Sequence, residues 1–274
     1  AGVTTKATRG GSMGVYTTMR MVGFAVGPIL GGLIVESLGF NAAFIAGGVL
    51  IFIGMGLVQA WVRDVPVPAP GPGATVRKFK YWDKDVFTVG MVGLSLATFV
   101  MAGAFSMMTT LEKQFNERLH ETAIGFSIAF SAVMISRLIF QIPLGRLSDK
   151  LGRKPLIIGG LVFMAPATAL LGVVLTTAQL TGLRLLQGIA AAAIAAPAFA
   201  LAADISKAGG EGRQMSIITM GFGLGIAVGP LMAGVLDVWS FQLPFVVGGL
   251  MCLAGAWIVA RWVPETVVRG RSHA

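Results

Sequence analysis

The chain has 274 residues, of which 55% are hydrophobic and only 12% charged, and its mean hydropathy is +0.81. About a quarter of the residues of a water-soluble domain are charged, so this composition excludes an ordinary soluble fold and places the chain in a bilayer. The net charge of +9 sits in short basic clusters between apolar runs, which excludes a nucleic-acid-binding face and assigns the charge to membrane topology.

A span needs about 20 apolar residues to cross roughly 30 Å of hydrocarbon. In chain order, Met13 to Val35 qualifies with one interruption at Arg20, and Leu38 to Val62 carries no charge. The alternating prolines of Pro66 to Gly73 cannot continue a helix and mark a boundary. The mixed basic and aromatic segment after them, Val76 to Trp82, suits the headgroup level. Val86 to Leu111 is again uncharged. Thr122 to Leu144 is interrupted by Arg137 alone, and the charged run Gly145 to Lys154 after it reads as a hairpin loop. Pro155 to Ala203 is too long for one span and divides at the polar turn Thr176 to Gln179. Met215 to Leu236 and Val238 to Ala260 complete eight predicted spans. Lys and Arg then fall almost wholly on one side: the N-terminal segment, the linker from Arg63 to Lys84, the Arg146 to Lys154 loop, Lys207 with Arg213, and the tail. Only Lys113 and Arg118 lie opposite, so the first side is expected to be cytoplasmic, with both termini on it.

The first and seventh of these spans repeat one another. With a shift of 202 residues, Met13, Thr17, Gly23, Ala25, Gly27, Pro28 and Gly32 meet Met215, Thr219, Gly225, Ala227, Gly229, Pro230 and Gly234. After one residue of slippage Phe40, Phe44, Gly47 and Gly48 meet Phe241, Phe245, Gly248 and Gly249. Two copies of one helical half are therefore expected, as in transporters built from parallel repeats.

Three motifs carry chemistry. Gly145-Arg-Leu-Ser-Asp149-Lys-Leu-Gly152-Arg153-Lys154 fits the pattern G-x-L-[AS]-D-[RK]-x-G-R-[RK], which resembles the signature loop of the major facilitator superfamily. Gly14, Gly23, Gly27, Pro28, Gly31 and Gly32 resemble the motif that marks drug:proton antiporters within that superfamily. Glycines four apart admit close helix contact, and Pro28 removes a backbone donor and can bend the helix. Arg184-Leu-Leu-Gln187-Gly188 resembles the R-x-x-Q-G motif of span four in antiporters, where the arginine is implicated in proton coupling. Here it is the second-half copy, so coupling and structural roles both stay open. Arg137, before Gln141 and Pro143, resembles the approach to the signature loop and is expected to brace it.

The resemblance implies an all-α transmembrane fold in which the eight spans correspond to numbers five to twelve of a twelve-span protein, so that the first four would lie upstream of Ala1. The expected organisation is the end of an N-terminal half (1–62), a cytoplasmic linker (63–85), a complete six-helix C-terminal half (86–262) and a cytoplasmic tail (263–274). Asp149, with Gly145, Gly152, Arg153 and Arg184, is expected to form a conformational latch between the halves, the carboxylate facing the positive N-terminal end of span five. Span seven presents Thr88, Met91, Ser95, Thr98, Ala102, Phe105 and Thr109 on one face. With Gln187 of span ten, Met91, Ser95, Thr98 and Phe105 are candidates for the substrate cavity, and a helix-packing seam accounts for the stripe equally well.

The function implied is secondary active transport in a bacterial inner or plasma membrane, with proton-coupled efflux of amphipathic organic compounds preferred. A proton symporter for a sugar or organic anion, or a receptor that reuses the fold, are the alternatives. The partners expected are a small-molecule substrate, protons and lipid, without nucleic acid, metal or cofactor. No Ser/His/Asp, Cys/His or metal-ligand set recurs at usable spacing, and no G-x4-G-K-[ST] loop is present, so an enzyme or an ATP-driven pump is not expected. Cys252 is single and is expected to fill space as a small hydrophobe.

Overall fold

A computed structural model describes residues 9–61, 87–120, 122–205 and 211–266, with side chains described from Met19 onward except at 211–213. The expected linker, most of the tail and the surroundings of Gly14 lie outside the described residues. Within them the chain is helical, without a strand, and eight helices are long and apolar enough to cross a bilayer.

Helices α1 (Arg9–Leu38) and α2 (Phe40–Trp61) form a hairpin joined by one residue. Gly39 takes φ +83° there and donates its N–H to the Val35 carbonyl at 2.9 Å, a left-handed cap that a side chain would strain. Helix α3 (Val89–Ser106) is capped by Thr88, whose hydroxyl accepts from the Met91 N–H at 3.3 Å, and it tightens into a 3-10 turn at Met107–Thr110. The short polar helix α4 (Glu112–Leu119) leads to α5 (Ala123–Leu151), α6 (Arg153–Ala169), α7 (Thr177–Ile205), α8 (Glu211–Asp237) and α9 (Leu243–Trp262). The polar turn expected to divide the long apolar stretch caps α7. Gln179 N–H donates to the Thr176 hydroxyl at 3.2 Å, and the Gln179 side-chain oxygen accepts from Leu175 N–H at 2.9 Å, a variant of the capping box.

Helices α3 and α5–α9 enclose one body with two core clusters. Met91, Leu94 and Met101 of α3 meet Ile157, Leu161 and Met164 of α6, Ile194, Ala198 and Leu201 of α7, and Cys252 and Val259 of α9. Toward α4, Met107, Met108, Phe115, Phe126 and Phe245 form the second cluster, in which the Phe115 ring sits edge-on to Phe241 and Phe245 at 4.9 and 5.6 Å. Helix α2 buries no side chain, and Phe44, Ile51 and Phe52 are exposed on it. It packs chiefly on α1, while α1 packs along α5. The repeat is preserved at the level of elements: α1 with α2 and α8 with α9 are both long helix pairs, each first helix carrying an internal proline, Pro28 and Pro230.

Helix α7 is the hub, because its small residues let neighbours approach closely. A methyl at Gly188 would stand 1.9 Å from the Ser136 hydroxyl and 2.3 Å from the Val133 carbonyl oxygen of α5. Rotation of a side chain cannot clear a backbone oxygen, so Gly188→Ala should force α5 and α7 apart and cost about 1–3 kcal/mol. Gly182→Ala in the same helix meets nothing within 4 Å and should be neutral or slightly stabilising. Melting of both purified variants in detergent checks the contrast.

Candidate functional site: the charged end of the bundle and the buried Arg184 network

The signature segment is not a loop. Gly145 to Leu151 forms the last turns of α5, and only Gly152 breaks the path before α6 begins at Arg153. Helix α5 has 29 residues, about 44 Å at 1.5 Å each, so its charged end can stand beyond a hydrocarbon layer of about 30 Å without unwinding. Gly152 has φ +106° and ψ 145°, a region that L side chains rarely adopt, and a methyl there would lie 2.7 Å from a Glu265 carboxylate oxygen.

Four elements converge on this point. Asp149 of α5 pairs with Arg153 at 3.5 Å, and the same guanidinium forms its closer pair with Asp204 near the end of α7. Asp204 also accepts from the Thr266 hydroxyl at 2.8 Å. Glu265, just beyond α9, accepts the first backbone N–H groups of α6, from Arg153 at 3.3 Å and Lys154 at 3.0 Å. Its carboxylate thus stands at the positive end of that helix, where negative charge is favoured. Arg153 is 17% exposed and Asp149 62%, so the Arg153–Asp204 pair is the better shielded of the two. Asp204, Glu265 and Thr266 were not singled out in the sequence. The available signal was charge pattern, since acidic residues on the strongly basic side stand against the topogenic majority.

Arg184 is not brought to this cluster. It lies 20 residues before Asp204 on α7, about 30 Å along the helix, which corrects its expected place in the latch. Among the described residues Arg137 makes no side-chain hydrogen bond or ion pair with the signature segment, which begins 8 residues further along α5, about 12 Å, and its guanidinium lies 5.9 Å from the Phe222 ring. The expected contact of Asp149 with the start of span five falls on side chains outside the described residues.

Arg184 is instead fully buried at the centre of a polar chain across three helices. Its Nη1 donates to the Phe105 carbonyl of α3 at 3.1 Å and to Gln187 Oε1 at 2.8 Å, and Gln187 Nε2 donates to the Thr168 hydroxyl of α6 at 2.9 Å. The Phe105 and Phe130 rings stand 5.6 and 5.5 Å from the guanidinium carbon. Arg184 Nε and Nη2 make no hydrogen bond, and Arg184 has no salt bridge among the described residues. Withdrawing a charge from water costs several kcal/mol, which two neutral hydrogen bonds and two ring faces offset only in part.

The span-seven stripe divides. Ser95 donates to the Ile217 carbonyl at 2.9 Å and Thr98 to the Ile218 carbonyl at 3.2 Å, both on α8, while Met91 is core. Ser106 and Thr110 continue the seam with bonds to the carbonyls of Gly225 and Pro230. Opposite them, Gly221, Gly225 and Gly229 are spaced four apart and lie against Ser95, Phe99 and Gly103. Among the described residues Ser95 and Thr98 therefore bond into the α8 seam and Met91 packs in the core, and of the four span-seven candidates only Phe105 meets Gln187's network. The reason is packing: hydroxyls in a dry bundle bond to the nearest carbonyls, and small residues opposite let them reach.

On α1, the expected close approach at Gly27 is also not found. Methyls at Gly23, Gly27 or Gly31 would meet no described atom within 4 Å, whereas one at Gly32 would lie 2.5 Å from the Ser127 hydroxyl of α5. Helix α1 packs on α5 through other residues, with Ala25 buried against Val133 and Met134, while Gly23, Gly27 and Gly31 face no described atom and Gly32 makes the close glycine contact.

Beside that contact is a cavity of about 180 Å³ lined by Pro28, Thr109, Glu112, Phe126, Ser127 and Phe130. Burial pushes the Glu112 carboxyl above the ordinary carboxylate range. A raised folded pKa favours the protonated state on folding, so the contribution is full below the unfolded value near 4.5 and is lost as pH rises through the folded value. Glu112→Gln should therefore raise the melting midpoint at neutral pH, and the gain should vanish below about pH 4.5 in a melting series across pH.

Long apolar helices around a hub of small residues, with a shielded ion-pair cluster at one end and a buried arginine within, define a multi-pass helical membrane protein. The sequence profile of the Major Facilitator Superfamily matches residues 1–119 and 94–273, and the chain belongs to that family. It is 30% identical over 144 residues to an uncharacterized MFS-type transporter of Mycobacterium tuberculosis, covering 52% of this chain and 21% of that protein. Over 156 residues it is 33% identical to the chloramphenicol resistance protein of Pseudomonas aeruginosa, covering 55% and 36%. Over 246 residues it is 27% identical to a multi-drug resistance efflux pump PmrA homolog of Lactococcus lactis, covering 87% and 60%. The chain therefore spans between about a fifth and three fifths of the length of these relatives.

Proposed function

We propose that this chain serves proton-coupled efflux of amphipathic organic compounds by alternating access. The observation that carries the reading is the combination of the complete Gly14 to Gly32 motif with similarity to proteins named for chloramphenicol resistance and multidrug efflux. In this reading residues 1–62 and 86–262 belong to the two halves, 63–85 is the cytoplasmic linker, both termini are cytoplasmic, and the ion-pair cluster secures the cytoplasmic end of the second half.

The test is efflux of a fluorescent amphipathic dye from vesicles holding the product of the complete reading frame. Transport that requires an imposed proton gradient, and collapses with an uncoupler, is the expected result. Gradient-independent equilibration would point to a facilitator, and inward movement with protons to a symporter. Cysteine labelling from each side at position 207 or 113 checks the orientation.

A further inference from the structure

The unpaired face of Arg184 has a chemistry of its own. A guanidinium presents five N–H donors in a planar fork that matches a carboxylate, and here only Nη1 is engaged, leaving Nε and Nη2 unspent. Nε and one terminal nitrogen are the pair that grips a carboxylate with two parallel bonds. Two phenyl rings, Phe105 and Phe130, stand beside that fork with their centroids 5.8 Å apart. Phe130 is half-buried, lines the 180 Å³ cavity that reaches α1, and has its ring 5.5 Å from the guanidinium carbon, so this one side chain touches both the cavity and the arginine. Gln187 is itself held by Thr168, which fixes the fork's orientation before anything arrives.

Resting on the efflux reading for its transport meaning but not for its binding chemistry, we infer that Arg184 receives the carboxylate of an aromatic monoacid, with Phe105 and Phe130 stacking on its ring. The charge supplies the specificity: a neutral amide of the same shape offers the fork one acceptor oxygen and presents two unmatched donors. The Glu112 carboxyl on the cavity wall has to be neutral for an anion to pass. The other charged groups at that end are Lys113, Glu117 and Arg118 of α4, Glu36 near the end of α1, and Asp237 of α8, which accepts from Gln114. Binding should therefore strengthen as pH falls through the range in which Glu112 takes its proton.

The experiment is a thermal-shift titration of the purified product of the complete reading frame with benzoate, benzamide and benzylamine at matched ionic strength. Benzoate should stabilise the wild type at concentrations about tenfold or more below those at which benzamide does, and benzylamine should have no effect. Arg184→Gln should remove the benzoate shift while leaving the helical circular dichroism intact, and Phe130→Ala should weaken it without changing the order of ligands. Equal shifts for benzoate and benzamide in the wild type overturn the inference even if Arg184→Gln does not fold, as does a benzoate shift that survives Arg184→Gln. Dye efflux with no benzoate preference sinks this inference and leaves the efflux reading standing; benzoate binding without gradient-driven efflux does the reverse.

Discussion

Gly225→Val should dismantle the α3–α8 seam, while Gly23→Val, at the equivalent position of the repeat, should leave the described fold intact. A methyl at Gly225 would lie 2.2 Å from the Phe99 carbonyl oxygen and 2.8 Å from the Ala102 side chain, and 3.0 Å from a backbone nitrogen at Gly103. None of the first obstacles is a flexible side-chain end, so relief requires the two helices to separate. Separation in turn breaks the bonds from Ser95, Thr98 and Ser106 to α8 carbonyls. Overpacking alone costs about 1–3 kcal/mol, and each lost buried hydrogen bond adds about 1 kcal/mol, a total comparable with the stability of many domains. At Gly23 nothing stands within 4 Å, and the substitution changes only an open surface. The measurement is monodispersity and melting of both variants in detergent. Equal melting of Gly225→Val and wild type would show that the seam yields. If Gly23→Val melts normally but halts efflux, the open face of α1 is a working surface.

Arg153→Gln should weaken the charged end far more than Asp149→Asn. The guanidinium is the only cation in the described cluster paired to both Asp149 and Asp204, and it is mostly shielded from solvent. Its removal leaves Asp204 with the Thr266 hydroxyl alone and loosens the tie between α6 and α7. The expected loss is roughly 1–2 kcal/mol, a charged hydrogen bond discounted for the solvent that reaches Asp204. Asp149 is exposed and its pair with Arg153 is long, so Asp149→Asn should change melting by less than about 0.5 kcal/mol. Efflux separates stability from gating. If Asp149 secures the second half to the start of span five, Asp149→Asn should lower efflux about tenfold at unchanged melting, within the usual range of conformational coupling. Wild-type efflux by that variant would leave the signature segment as a local tie.

The eight spans, their approximate limits and the pairing of α1 and α2 with α8 and α9 could be read directly from apolar run length and from the 202-residue repeat, because both signals are local. The same is true of Thr176 and Gln179, where capping acts over three residues. The polar stripe of α3 was legible as a stripe but not as a seam: period alone names the face and not what it faces. Only the folded bundle set Ser95 and Thr98 against α8 carbonyls and turned Phe105 toward Arg184.

Sequence by itself determined what this chain is made to live in and how its helices are ordered, since hydrophobic length, glycine and proline spacing and basic clusters act along the chain. Tertiary structure alone decided which charges meet. Asp204 and Glu265 reach Arg153 and the start of α6 from segments 51 and 111 or more residues away, while Arg184, equally conspicuous in the sequence, is drawn about 30 Å from them into the bundle. The physical reason is that a helix carries its residues to opposite ends of a membrane on a pitch of 1.5 Å per residue, so partners are chosen by depth and by neighbouring helix, and neither quantity is written in the spacing of a single segment.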